Sequence, residues 1–378
     1  MMIRRTVLVC LAGTCLTFAS CGVDRPLYPD GRNTLEIVAI DTSGVTGEDS
    51  VLVGGALVEL ASTTAEYKQV FQTDAEGRVV VESLPAGEYI VQVSKQDEVS
   101  KVLFMGQGKE RLVNAVGILD TIYMSFIPTS PIVINEVYYA GCNASSFYFY
   151  DQFIELYNTT ADTLYLDGYF VVRGTQVSTI FDYDPNQEDF ALGYYIYTFP
   201  GTRGVTHQCP IAPKGFIVIA GDATNHHNYG ALCVDLSHAD YEFFNAAAND
   251  FDNPQVRNLD ALWSGSQDFS MNLAHSPVWI ATGEEYTYQE HCYMSGTSTI
   301  CTTYMHMLLR TILDGVEYAS NPTAARYTPP RMDAGYGGIG LTRYSGQSIE
   351  RKVPGLDSNN SIFDFENITP TPGYSHSR

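Results

Sequence analysis

Basic residues are scarce: Lys and Arg number 21 against 43 Asp and Glu, a formal net charge of −22 over 378 residues. A phosphate backbone requires a cationic face, so nucleic acid is excluded as a partner. Docking on anionic lipid headgroups is excluded for the same reason. Charged residues of both signs make up 17%, below the usual ~25%. That composition fits neither a coiled coil nor a disordered acidic tail. Trp occurs twice. No CxxC pair exists, so neither a zinc ribbon nor a thioredoxin-like site is supported. GxSxG, HExxH and the phosphate-loop pattern GxxxxGKS/T are missing as well. One formal GxGxxG match, Gly335–Gly340, follows Pro329-Pro330 and precedes the β-like Leu341-Thr342-Arg343-Tyr344. The dinucleotide fingerprint needs strand, turn and helix in that order, so this reads as a flexible glycine-rich loop. What the chain has instead is 26 Tyr, 18 Phe and 32 Gly, a composition that leans towards β structure.

The N-terminus reads as an address. Arg4 and Arg5 precede the apolar run Thr6–Phe18, which is too short for a ~20-residue membrane span. Small residues follow, completing the pattern of a secretory signal over residues 1–20. Phe18-Ala19-Ser20-Cys21 resembles a bacterial lipobox. The resemblance implies that Cys21 is lipidated and becomes the new N-terminus, with residues 21–33 as a lipidated tether. The expected location is the cell envelope, as an outer-membrane lipoprotein facing the periplasm or the surface, held to the membrane by its N-terminal lipid. Export permits disulfides. Cys292 and Cys301 flank eight residues and are expected to staple a hairpin. Cys209 and Cys233 bracket an apparent strand at 215–220 and are expected to pair across it, leaving Cys142 odd.

Beyond the tether, short alternating runs separated by turn residues indicate an all-β chain: two immunoglobulin-like β-sandwich domains in tandem, the second with long insertions. Within 34–127, the runs Gly55–Leu60, Thr73–Val79 and Leu84–Tyr89 are similar to the carboxypeptidase-regulatory or CnaB-type, transthyretin-like sandwich. Gly77 and Gly87 are expected at its tight turns. CnaB relatives sometimes carry a Lys–Asn isopeptide bond, for which Lys68, Lys95, Lys101, Lys109 and Asn114 are available, but a rigid stalk is the favoured reading. Pro128 and Pro131 mark a boundary. Ile132–Val137, Phe153–Asn158 and Leu166–Tyr169 open a second domain over 131–375, and Ile312–Tyr318, Ser348–Arg351 and Pro370–Gly373 close it. This order is similar to the lamin-tail domain. The motifs at the two ends imply a sandwich that closes without the intervening insertion, about 174–310. Lipobox, regulatory sandwich and enlarged lamin-tail-like region together resemble a Bacteroidetes-type lipoprotein family, a resemblance that implies no particular activity.

Glu136 and Glu155 sit inside apolar strands, where a carboxylate is costly unless paired. Arg351 is the expected partner of one of them. In the insertion, Asp222, His226, His227 and His238 are candidate metal ligands. With Asp235, Asp240, Asn249, Asp250, Asp252 and Asn253 they form a polar stretch that either stays a solvated loop or holds structural Ca²⁺. No other cofactor is expected. Aromatics cluster at Phe147–Tyr150, Tyr194–Tyr197, Tyr241–Phe244 and Tyr286–Tyr288. They serve either as sheet packing or as an exposed platform for a sugar or a protein. As a platform, the contact residues are Tyr194, Tyr195, Tyr197, Tyr241, Phe243 and Trp263.

No compact cluster of acid, base and nucleophile is visible, so no catalytic residue is assigned. The expected function is a non-catalytic surface binding or scaffold module, with a glycan or an outer-membrane protein as partner. A substrate-binding lipoprotein serving an outer-membrane transporter for a glycan, peptide or metal complex is the alternative. A hydrolase with an unrecognised site is the second.

Overall fold

A computed structural model describes residues 33–42, 51–63, 67–96, 103–112, 117–126, 130–175, 190–264, 267–295, 298–329 and 332–376. The signal peptide, Cys21 and the tether up to residue 32 lie outside the described residues, as do Lys101, Asn114 and the side chain of Lys109. The chain is predominantly β, in a multi-domain arrangement of several sheets. Among the described residues the only helices are Ser361–Asp364 and two short 3-10 turns, so no helix is long and apolar enough to cross a membrane.

The first unit is an eight-stranded sheet curled around its own core. The strand Asn33–Asp41 pairs in parallel with Ile118–Phe126 and antiparallel with Arg78–Leu84. Gly87–Gln96 pairs with Leu57–Ser62 and Leu103–Leu112. Alternate residues point inward, so Leu35, Ile37, Val58, Leu60, Val91 and Val93 fill the interior. Gly77 has φ +71°, and a Cβ there would meet the backbone nitrogen of Val53 at 2.9 Å, so this turn requires glycine. Gly87, in contrast, opens a strand, and the left-handed position of that turn belongs to Ser83, φ 61°. Lys95 donates to the carbonyl of Gly54 and Lys68 to that of Ile362.

The second unit has two seven-stranded sheets face to face and a two-stranded ribbon. In spatial order the first sheet runs Arg257–Asn258, Tyr241–Glu242, Phe216–Ala220, Phe153–Asn158, Ile132–Tyr138, Ser348–Arg351, Phe365–Ile368. The second runs Tyr286–Ser295, Ser298–Leu308, Phe190–Thr198, Phe170–Gly174, His275–Ala281, Ile312–Ala319, with Asp260–Trp263 beside Phe190–Thr198. Ile134, Ile154, Ile217 and Ile219 from the first sheet pack against Val171, Tyr197, Val278, Ile280 and Val316 from the second.

This arrangement overturns the expectation of a removable insertion. Phe216–Ala220 lies next to Phe153–Asn158 in the interior of one sheet. Phe190–Thr198 and His275–Ala281 flank Phe170–Gly174 in the other. Three strands of residues 174–310 are thus walls of the core. The end motifs alone would leave the strand at 153–158 without a partner on one side and the strand at 170–174 without a partner on either, an unacceptable loss of backbone hydrogen bonds.

No strand of one unit pairs with a strand of the other among the described residues. They meet through Lys68, whose ammonium lies 5.3 Å from the centre of the Phe363 ring, and through Glu59, 4.0 Å from Lys352. Cavities of about 580 and 750 Å³ run along this joint. The Gly335–Gly340 loop is pinned rather than flexible: Gly337 exchanges hydrogen bonds with Glu317 and Ala319. A Cβ on Gly338, φ +76°, would strike the Tyr139 hydroxyl. Leu341–Tyr344 continues it as a turn, not as a strand.

Candidate functional site

The loops at one end of the second unit are tied by a disulfide between Cys142 and Cys233, Cα atoms 4.8 Å apart. This corrects the expected Cys209–Cys233 pair. Cys209 is buried in the core, where its thiol donates to the carbonyl of Pro200 at 3.3 Å, and burial pushes the thiol up. Cys233 instead follows the short turn His226–Tyr229 onto the Cys142 loop. Asp151 accepts from the Tyr138 hydroxyl (2.9 Å) and from the amide of Val234 (3.3 Å), bracing the same junction. Cys292 and Cys301 are bonded across directly opposed positions of the Tyr286–Ser295 and Ser298–Leu308 hairpin.

Around Cys142–Cys233 the aromatic side chains of 147–150 meet those of 226–229. Tyr148 stacks on Tyr229 with centroids 4.0 Å apart at 11°, and Phe149 stacks on Tyr150 at 4.9 Å. Phe147 meets Tyr344 edge-on. Asn225 caps the 226–229 turn by accepting from the amide of His227. Asn143 donates to the carbonyl of Tyr229, joining the two loops. The rims of this cluster are open: Phe147 is 70% exposed, Leu232 58%, Tyr229 51% and Tyr150 40%. Leu232 also lines a cavity of about 420 Å³ with His227, Asp235, Ser345 and Gln347.

The residues singled out from the sequence divide sharply. Tyr195, Tyr197, Tyr241 and Phe243 are core residues, with Phe243 stacked on Phe269 at 3.8 Å, and cannot form a platform. Tyr195, Tyr197 and Tyr241 lie on the strand faces turned towards the core between the sheets, and Phe243 follows the strand Tyr241–Glu242 into it. Tyr194 is half-buried against Tyr195 and Tyr304. Trp263 is 36% exposed beside Tyr288, a smaller surface on the second sheet.

The metal candidates part in the same way. His226 is buried, and its Nε2–H donates to the carbonyl of Asp222 (2.8 Å). Its Nδ1 must then accept from the Tyr148 hydroxyl (2.7 Å). Both nitrogens are used, so His226 is not a ligand. His227 and His238 are exposed and lie outside the metal-spaced groups found among the described residues. Asp222 instead joins Asp250 and Asp268, with one oxygen of each lying within 4.8 Å of the others. Burial, then the charges of Asp268 and Asp250, push the Asp222 carboxyl up to about 8. Burial and Asp250 push Asp268 up to about 7. Nothing in the local sequence marks Asp268; only the fold brings it here.

A second acidic array lies in the first sheet. Glu155 stands opposite Glu136, Glu136 opposite Glu350, and Glu350 opposite Glu366, on four adjacent strands. Arg351 is not their partner. It points to the other face of its strand, 2.8 Å from Asp314 and 3.3 Å from both Asp357 and Asp364. Successive residues alternate faces, so Glu350 and Arg351 cannot both reach the ladder. The C-terminal segment covers the glutamates instead. Glu136 accepts from the amide (3.1 Å) and hydroxyl (3.1 Å) of Thr371 and from Ser348 (2.5 Å). Glu155 accepts from the amide of Gly373 (2.6 Å) and from Asn135 (2.9 Å). His376 bonds Glu350 and Glu366. Burial raises Glu136 to about 8, and burial with the charge of Glu136 raises Glu155 to about 9.

The fold and these sites define a multi-domain β protein whose loop end carries a disulfide-clamped aromatic surface. Residues 212–371 match a family model described as a protein of unknown function, DUF4876. A DUF4876 family protein from Bacteroides thetaiotaomicron VPI-5482, known from a crystal structure, is similar at 23% identity and TM-score 0.54. That match covers 92% of this chain and 98% of the other. At this identity the likeness is one of fold. A DUF3823 family protein from Bacteroides uniformis ATCC 8492 aligns at 8% identity over 74% of this chain and 99% of its own, with TM-score 0.18. A streptococcal ancillary pilin aligns at 14% over 47% and 57%, with TM-score 0.19. No curated protein matches the chain.

Proposed function

We propose that the protein is a non-catalytic cell-envelope lipoprotein that binds a glycan through the surface formed by Phe147, Tyr150, Tyr229 and Leu232. We take its two units as tandem immunoglobulin-like sandwiches: a carboxypeptidase-regulatory-like stalk, anchored through lipid on Cys21, and an enlarged lamin-tail-like head. The observation that carries the reading is the continuity of exposed aromatic rings with a polar cavity. Leu232, three residues after Tyr229, is exposed and lines the cavity, where Asp235, Gln347 and Ser345 offer hydrogen-bonding groups. Rigid aromatic rings bind sugar faces with little loss of rotor entropy, and concave sites of this size suit small ligands. The disulfide and the Tyr148–Tyr229 stack hold the rings in place before binding, which lowers the ordering cost.

The test is a glycan array with the full chain, followed by titration of the hits. Phe147→Ala with Tyr229→Ala should weaken binding at least ~10-fold, the scale of an anchor worth ~1.4 kcal/mol or more. Trp263→Ala, on the other surface, should leave it unchanged. Undiminished binding by the double variant overturns the assignment. Capture of an outer-membrane protein through the same residues, with no glycan bound, replaces it with the transporter-partner reading.

A further inference from the structure

We infer that Asp222, Asp250 and Asp268 form a Ca²⁺ site joining three loops of the second unit. The three carboxylates come from separate connections. Asp222 follows the strand Phe216–Ala220, Asp250 follows Tyr241–Glu242, and Asp268 follows Asp260–Trp263. One oxygen of each lies within 4.8 Å of the others. Two oxygens bound to one Ca²⁺ at ~2.4 Å can lie at most about 4.8 Å apart, and the spacing of the three carboxylates falls within that limit. Among the described residues, no Lys, Arg or His forms an ion pair with any of them.

A second observation points to a ligand. Asp250 Oδ1 and Asp268 Oδ1 are buried oxygens to which no N–H or hydroxyl of the described residues donates, and the two carboxyl groups lie against each other. The hydroxyl of Tyr197 is in the same condition. Tyr197 is a fully buried core residue whose hydroxyl feels the charges of Asp250 and Asp268. Unpaired buried polar atoms are rare because each costs the full desolvation of the group. Here two belong to the carboxylate group and the third feels the charge of both. A cation satisfies the two carboxylate oxygens, and a water in its shell satisfies the Tyr197 hydroxyl.

The donor set selects the ion. All three protein ligands are carboxylates, and His226, the one imidazole close by, has both nitrogens engaged. Hard oxygen donors on irregular loops suit Ca²⁺, which tolerates variable geometry, whereas Mg²⁺ demands a near-ideal octahedron. The remaining positions are open to water and main-chain carbonyls. The ion would brace the loop end of the sandwich, because Asp222 also donates its amide to the carbonyl of Tyr150 and accepts from His226. The site stands whether or not the aromatic surface binds a glycan.

The test is calorimetric titration and thermal melting of the EDTA-treated full chain with CaCl₂. At a hundredfold excess over Kd, the melting temperature should rise by ~5–10 °C. Asp250→Asn and Asp268→Asn should fold with an unshifted or higher metal-free melting temperature, since each removes repulsion. Each should lose at least ~10-fold in Ca²⁺ affinity, and Tyr197→Phe should weaken it less. No Ca²⁺ response by the wild-type chain up to about 10 mM, above the range of extracellular sites, overturns the inference. So does an undiminished response in the Asp250→Asn, Asp268→Asn double variant. An equal response to MgCl₂ overturns the assignment to calcium.

Discussion

The second unit holds two acidic arrays that solve one physical problem in opposite ways. The glutamate ladder at 155, 136 and 350 is buried in a sheet, yet the chain covers it with its own donors: Thr371, Gly373, Ser348, Asn135 and His376. The aspartate group at 222, 250 and 268 is less buried but leaves oxygens unpaired. The difference teaches that burial alone does not mark a ligand site. What marks it is whether the protein's own hydrogen-bond donors complete the shell.

The comparison breaks first if the ladder's cover is dispensable. Deleting residues 370–378 removes donors from three buried carboxylates and should cost ~3–5 kcal/mol of stability in urea denaturation. A loss under ~1 kcal/mol would mean that the ladder is as incomplete as the aspartate group. Next in size is the clamp at the aspartate end. Cys142→Ala with Cys233→Ala opens a loop of sequence separation 91 and should cost ~2–4 kcal/mol. Urea denaturation of the oxidised proteins measures it.

A third outcome concerns pH. Glu136 and Glu155 have raised folded-state values, about 8 and about 9, so the folded state holds protons that the unfolded chain releases near 4.5. Their contribution is complete below about 4.5 and is lost as pH rises through about 8 to 9. Stability should therefore fall between pH 5 and pH 9, by at most ~1.4 kcal/mol per pH unit for each group. Glu155→Gln should flatten the fall. Denaturation at pH 5, 7 and 9 shows whether it does, and a rising profile would contradict it. The smallest effect belongs to Tyr197→Phe without metal. Removing an unpaired buried hydroxyl should leave stability unchanged or raise it by up to ~1 kcal/mol. A loss of more than ~1 kcal/mol would show the hydroxyl to be satisfied without an ion.

Much of the strand content was legible because alternation is local: Ile132–Tyr138, Phe153–Asn158 and Gly87–Gln96 lie close to where the apolar pattern places them. Cys292 and Cys301 were legible for the same reason, being nine residues apart on one hairpin. The aromatics were misread because a Tyr on a strand has no local sign of which face it takes. Tyr195 and Tyr197 are both buried although both belong to a run that resembles an exposed platform. The better sign was available at Phe147–Tyr150, where consecutive aromatics follow Asn143 in a turn and cannot all enter the core.

The sequence by itself determined the acidic character, the β content and the short-range hairpin pair, because each depends on composition or on neighbours along the chain. Tertiary structure alone decided which cysteine joins Cys233, that residues 174–310 supply core strands, and which face Arg351 takes. It also brought Asp268 beside Asp222 and Asp250, and laid the C-terminal segment over the glutamates. Cys142 and Cys233 are 91 positions apart, Asp250 and Asp268 18, and Glu136 and Thr371 235, so the packing of the two sheets and their loops, not local preference, brings them together.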